Sequence, residues 1–224
     1  MRWTLLLLWM SLTAPAFQAQ VDFSGAWIIA SGQEDGDTYG ELRVVRPAAD
    51  AIRVSMIDYA TAWVDGAFRP VVRIMPWTFT LNEWAPRRGG SASRQPRARA
   101  RYAGETLVLE KSTDSGNGNF LWTWRVDHSG GRLVHHDGAR QANDVTEFHR
   151  LIDVDALAPL DAIGNIHVRP ALDRGLLQIT CPIADCSVIQ FQSGIQVGVR
   201  KLPRAETIEI ALDSEVRIEP ARAK

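Results

Sequence analysis

The 224-residue sequence lacks several features that mark common classes of protein. Its formal net charge is −1, so electrostatics alone does not indicate a nucleic-acid or anionic-membrane partner. It has no Gly-x-Ser-x-Gly motif and no zinc-type spacing of Cys and His, so we predict no catalytic residue, metal site or cofactor. Beyond residue 12, no apolar run approaches the roughly 20 residues of a membrane-spanning helix, so no membrane span is predicted.

The amino terminus has the three parts of a secretory signal. Arg2 supplies a positive charge, an apolar run extends to Leu12, and the small residues Ala14 and Ala16 fit a cleavage site. We therefore predict a signal peptide over residues 1–19 and a periplasmic or secreted location. The remaining chain is still long enough for one large or two small cores.

Cysteine is scarce, and Cys181 and Cys186 are the only two, in the sequence Cys-Pro-Ile-Ala-Asp-Cys. Export places them in an oxidising compartment, where an even pair usually forms a disulfide. A redox site is the alternative, but such sites favour two intervening residues rather than four. We predict a structural disulfide.

Helical periodicity is nearly absent after the signal, and short runs of alternating apolar and polar residues dominate. Trp77 and Phe79 share one face of such a run, and Trp122 and Trp124 share one face of another. Pro76 is predicted to end or bulge its strand, because proline cannot donate to the ladder. The density of these runs, separated by turn signals, is typical of an antiparallel up-and-down barrel.

The predicted fold class is therefore all-β, in two units. We predict a barrel over residues 20–152 and a linker with a helical turn over 153–164. Shorter alternating runs then indicate a small, disulfide-bonded, β-sandwich-like domain over 165–224. So short a domain has a marginal core of its own, so docking on the barrel would help to stabilise it.

Two short motifs in the barrel segment resemble a known family. Residues 22–27 (Asp-Phe-Ser-Gly-Ala-Trp) resemble the Asp-Phe-x-Gly-x-Trp opening of lipocalin-like and fatty-acid-binding-like β-barrels, including exported bacterial lipocalin-like domains. Residues 148–150 (Phe-His-Arg) resemble the aromatic-x-Arg end of their last strand. The resemblance covers residues 21–152. It implies that Gly25 and Trp27 begin the first strand and that Arg150 packs over Trp27 as a cation–π pair.

A barrel of this kind implies a container for a small molecule. Inward aromatic side chains either fill the core or line a cavity. We predict that Trp77, Phe79, Trp122 and Trp124 line a cavity that holds a small apolar or amphipathic ligand. One alternative is a solid barrel that serves as an envelope protein–protein or polymer interaction module. In it the second unit or the Arg-rich loop 85–96 provides the contact.

A small-barrel enzyme is the second alternative. Glu41, Asp58, Glu110 and Glu147 are possible members of a carboxylate pair, but nothing in their spacing selects two of them. The alternating arginines at 97, 99 and 101 form either an anion-binding rim or a solvated strand face.

Overall fold

The computed structural model confirms the predicted all-β class with antiparallel sheets. It describes residues 22–31, 38–64, 66–86, 97–104, 106–115, 118–126, 132–137 and 145–221. The predicted signal peptide and positions 87–96 of the Arg-rich loop lie outside these residues. The strands of the described part are β1 (Gly25–Ser31), β2 (Thr38–Pro47), β3 (Ala51–Val64), β4 (Ala67–Leu81), β5 (Ala85–Pro86), β6 (Arg97–Ala103), β7 (Thr106–Ser115), β8 (Gly118–Val126), β9 (Arg132–Asp137), β10 (Val145–Arg150), β11 (His167–Ala171), β12 (Leu176–Thr180), β13 (Cys186–Gln192), β14 (Ile195–Leu202), β15 (Thr207–Ala211) and β16 (Glu215–Pro220).

Strands β1 to β4 and strands β5 to β10 each pair antiparallel with their neighbours along the chain, and β1 pairs antiparallel with both β2 and β10. A short parallel pairing joins β4 to β6 at Thr80–Arg99 and Leu81–Ala100. Neighbouring strands can therefore be followed from β4 through β1 and β10 to β6 and back to β4. The face of these strands that we call the inner face carries an apolar cluster, the inner core, made of Phe23, Trp27, Val45, Ile52, Val54, Met56, Trp77, Phe79, Ala98, Ala100, Leu107, Leu109 and Phe148.

β3 and β4 form a long antiparallel hairpin. The predicted interruption at Pro76 is wrong, because this residue pairs with Ser55 inside an unbroken register. On its other edge, β4 pairs with β16 only at positions 72–74 and with β6 only at 80–81. Pro76 lies between these two stretches, so its missing N–H removes no hydrogen bond to either strand.

The residues after 165 extend this sheet and also cover it. β16 pairs antiparallel with β4, and the order β4–β16–β13–β14 continues the sheet outward. β11, β12 and β15 form a separate three-stranded sheet. Its apolar side chains and those on the outer face of β1–β4 belong to one cluster, the shared core. The predicted second unit is therefore β-structured, but its core is continuous with that of the first ten strands.

The predicted linker is helical and packs into the same core. A 3-10 turn covers Val154–Leu157, and α1 covers Ala158–Gly164. Leu157 and Leu160 are buried in the shared core. A Cβ added at Gly40 of β2 would lie 2.1 Å from Leu160 Cδ2, so the helix approaches the sheet only because residue 40 has no side chain.

Two further contacts fix the C-terminal residues. Cys181 and Cys186 form the predicted disulfide, with their Cα atoms 6.3 Å apart and both residues in the shared core. The buried Ser55 hydroxyl of β3 donates a hydrogen bond to the carbonyl oxygen of Leu212. Burying a hydroxyl without a partner costs free energy, so this bond lets a polar residue lie under the C-terminal segment.

Candidate functional site

The three residues predicted from the family resemblance lie together at the start of β1 and the end of β10. The Arg150 Cζ atom lies 5.3 Å from the centroid of the Trp27 ring, within cation–π range. Its Nη2 atom also donates to the carbonyl oxygens of Asp22 and Ser24. Gly25 has φ +124°, and a Cβ there would lie 3.6 Å from Arg150 Nε. Glycine is therefore suited to the residue beneath the guanidinium.

The aromatic residues predicted to line a cavity divide into two groups. Trp77 and Phe79 lie on the inner face of β4 with their ring centroids 6.2 Å apart. Phe79 has no exposed surface and Trp77 is 4% exposed. Trp122 and Trp124 lie on β8, where they pair with Lys111 and Leu109 of β7. Their side chains are outside the described part of the structure.

A row of charged residues crosses the same inner face. Glu41 of β2 pairs with Asp58 of β3, and Asp58 pairs with Arg73 of β4. Directly opposed residues of neighbouring strands project from the same face, with Cβ atoms about 5 Å apart. The inner face therefore brings two of the candidate carboxylates together, Glu41 and Asp58.

Two further cations join this row to the aromatic residues. Arg43 is buried, pairs with the Glu41 carboxylate, and has its Cζ atom 5.4 Å from the Phe148 centroid. The Lys111 Nζ atom lies 4.0 Å from the centroid of the Trp77 ring. We call the group Glu41, Arg43, Asp58, Arg73 and Lys111 the charged row.

The carboxyl group of Asp58 has a perturbed pKa. Desolvation by burial raises its pKa from 3.8 to about 6, against the opposing attraction of Arg43, Arg73 and Lys111. Glu41 adds to the rise by repulsion between like charges. Within the described residues, Asp58 Oδ1 is buried and accepts no hydrogen bond. A carboxyl group in this state changes its charge in the mildly acidic pH range.

Sequence reasoning named Glu41 and Asp58 as candidate carboxylates but did not join them to Arg43, Arg73 and Lys111. A charged residue in register with the apolar positions of a strand is the available signal. Reading that signal requires the register of three strands, because Asp58 and Arg73 become neighbours only through the β3–β4 hairpin. No local spacing identifies them.

The arginines of β6 have partners on the opposite, outer face. Arg99 Nε and Arg101 Nε both approach the carboxylate of Glu110, and the Arg101 distance is 3.6 Å. The Arg99 Cζ atom also lies 4.6 Å from the centroid of Trp84. These side chains are used in ion pairing and stacking, which agrees with a solvated strand face better than with an open anion-binding rim.

The chain matches no protein-family model, and no curated protein matches it significantly. Within the described residues, no helix has the length and apolar character needed to cross a membrane. The same residues contain no group of three or more His, Cys, Asp or Glu side chains arranged to hold a metal ion.

Proposed function

We propose that this chain is an exported, lipocalin-like protein that binds a small amphipathic molecule against the inner face of its strands, in the periplasm or outside the cell. One observation carries the proposal. The charged row lies directly beside an aromatic surface, with Lys111 Nζ 4.0 Å from the Trp77 centroid. An interior with a polar side and an apolar side matches a molecule that has both.

The charges of the row indicate the chemistry of the polar end. Three cations, Arg43, Arg73 and Lys111, act on Asp58 together with one other carboxylate, Glu41. The excess is positive, and it increases when Asp58 takes up a proton. An acidic group on the ligand would meet this excess through charge-assisted hydrogen bonds.

The packing indicates where the apolar end lies. Trp27, Phe79 and Phe148 are almost completely buried in the inner core, so this end of the interior is occupied by protein atoms. Trp77 is slightly exposed and Met75 is partly exposed, and both are on the same face as Arg73. The apolar part of the ligand would therefore lie against Trp77 and Met75.

The first experiment is native mass spectrometry of the exported protein, purified without detergent. A retained small molecule with an acidic group and an apolar part is the expected result. If the protein repeatedly emerges with no added mass and also fails to bind the probe described next, the proposal fails.

The second experiment is a fluorescence titration with 11-(dansylamino)undecanoic acid. Lys111→Met should weaken binding of this probe by about ten-fold, because one charge-assisted interaction is lost. Asp58→Asn should strengthen it at pH 7.5, because a negative charge beside the bound acid is removed. Val199→Ser is the matched control, since Val199 is an exposed residue of β14. Equal affinities for all four proteins would contradict a site at the charged row.

A second candidate function, an envelope interaction module, is favoured by strand β14. It is an edge strand, and Ile195, Val197 and Val199 are all more than half exposed. Edge strands offer unpaired backbone groups to an extended segment of another protein. Crosslinking at β14 followed by loss of the crosslink in Val199→Pro would support this candidate, whereas an unchanged crosslink would count against it.

A further inference from the structure

The β3–β4 hairpin ends in an exposed aromatic pair, Trp63 and Phe68. The two residues are directly opposed in the register, with their ring centroids 5.1 Å apart in an edge-to-face arrangement. Trp63 is 66% exposed and Phe68 is 67% exposed. Together they present on the order of 250 Å² of aromatic surface to solvent. We call residues 61–64 and 66–71 the hairpin tip.

The packing of the opposite face of the hairpin keeps Trp63 and Phe68 exposed. On the opposite face of the tip, Val64 and Val71 are buried in a small apolar cluster with Ala60. Side chains alternate between the two faces of a strand, so burial of one face fixes the other outward. Trp63 and Phe68 therefore cannot turn into the core without breaking this cluster.

The tip also extends beyond the strands that flank it. The pairing of β2 with β3 ends at Ala60, and the pairing of β16 with β4 begins at Val72. Between these points β3 and β4 pair with each other and with no other described strand. An aromatic pair at a projecting end can enter a surface without displacing the rest of the sheet.

We propose that the hairpin tip docks the protein on the surface of a lipid bilayer, with Trp63 and Phe68 inserted at the level of the headgroups. Trp is favoured at the membrane–water interface, where its apolar ring and its polar N–H are both accommodated, and Phe occurs on the apolar side of segments that lie in this interface. The described strand residues of the tip include one charged side chain, Arg69, and Asp65 of the turn lies outside the described residues. The sequence 61–71 therefore carries one anion and one cation, and both have to stay hydrated at the level of the headgroups while the two rings insert.

A protein partner fits the tip less well. Stable protein–protein interfaces bury roughly 800 Å² on each partner, about three times what this pair offers. Insertion into a bilayer has no such area requirement, because a few side chains already transfer apolar surface out of water. Asp58, the member of the charged row nearest the tip, lies two residues before Ala60 and on the face opposite Trp63 and Phe68. The link between the two sites rests on the proposed function, in which a docked protein would take up its amphipathic ligand from the bilayer.

The experiment is flotation of the exported protein with phosphatidylcholine vesicles. The wild-type protein should float with the vesicles, and the double variant Trp63→Ser, Phe68→Ser should partition at least about ten-fold more weakly. The matched control is Val197→Ser with Val199→Ser, which removes two comparably exposed apolar residues from β14. This control should float like the wild type. Because all four side chains are exposed, thermal melting should show that each variant is folded.

A second readout uses vesicles that contain brominated lipid, which quenches nearby tryptophan. Trp63→Phe should still float but should lose most of the quenching. The proposal is overturned if the wild type does not float, if the tip variant floats equally well, or if both double variants lose binding alike. It is also overturned if light scattering shows an oligomer that the tip variant dissociates, since the tip would then be a protein interface.

The proposed docking surface and the proposed ligand site can be refuted independently. The tip variant should bind 11-(dansylamino)undecanoic acid with wild-type affinity when no vesicles are present. Loss of vesicle binding with normal probe binding locates the effect at the tip. Normal vesicle binding with no probe binding in any variant leaves the docking surface in place and rejects the ligand site.

Discussion

Replacing Asp58 by asparagine should stabilise the protein at neutral and alkaline pH. Asparagine has nearly the shape of a protonated aspartic acid and carries no charge. Burial raises the pKa of Asp58 to about 6, which means that the folded protein favours the neutral form of this side chain. A substitution that is neutral at every pH therefore removes the cost of keeping a charge on the inner face.

The pKa change of Asp58 determines the magnitude and the sign of the stability difference between the wild type and Asp58→Asn. The rise from 3.8 to about 6 is about two pKa units, and each unit corresponds to about 1.4 kcal/mol. Because the folded pKa is the higher one, the wild-type protein is stabilised by proton uptake below pH 3.8 and loses this contribution as the pH rises through 6. Asp58→Asn should therefore raise the free energy of unfolding by about 3 kcal/mol at pH 8, and by progressively less towards pH 4.

The assay is chemical denaturation of both proteins at pH 8, 6 and 4.5. At pH 8 the melting temperature of the variant should also rise, by roughly 6–12 °C for a chain of this size. Glu83→Gln is the control, because Glu83 is an exposed carboxylate outside the charged row. The reasoning is refuted if Asp58→Asn is no more stable than the wild type at pH 8. It is also refuted if the stability difference does not shrink as the pH falls.

Three further predictions concern the packing that holds the fold. Gly40→Ala should lower the free energy of unfolding by about 1–3 kcal/mol through overpacking against Leu160, and adding Leu160→Ala should recover part of the loss in a double-mutant cycle. Replacing Cys181 and Cys186 together by serine should cost at least about 2 kcal/mol in non-reducing denaturation, and an unchanged midpoint would show that the bond adds no stability. Arg150→Met should cost about 1–3 kcal/mol and alter the near-ultraviolet dichroism, whereas an unaltered spectrum would contradict the stacked geometry.

The strand pattern of the barrel segment could be predicted because it is local. Alternation along a strand has a period of two, so Trp77 and Phe79 share a face wherever the strand is placed. Gly25, Trp27 and Arg150 were identified by resemblance, and their contact closes β1 against β10. The disulfide was predicted from the expected export and the even number of cysteines, and the two residues lie only five positions apart.

The alternation along the strands could not predict that C-terminal residues cover the outer face of β1–β4. Ser55 alternates with apolar neighbours on β3, which indicates a side chain directed towards solvent. In the structure it is buried and bonded to Leu212, 157 positions further along the chain. A contact of that separation leaves no trace in local periodicity. The burial of Leu157 and Leu160 could not be predicted for the same reason, because it depends on a sheet that is distant in the sequence.

The charged row also bears on whether the inner face of these strands only packs or also binds a ligand. A face that served only for packing would be more stable with apolar residues, since buried ion pairs often do not recover the free energy lost on desolvation. Burial raises the pKa of Asp58 to about 6, so the ionised form of this side chain is disfavoured in the folded protein at neutral pH. Proteins retain such costs mainly at functional sites, where activity requires groups that stability does not favour. If Asp58→Asn stabilises the fold and also changes the affinity for the probe, the same side chain lowers the stability and contributes to ligand binding.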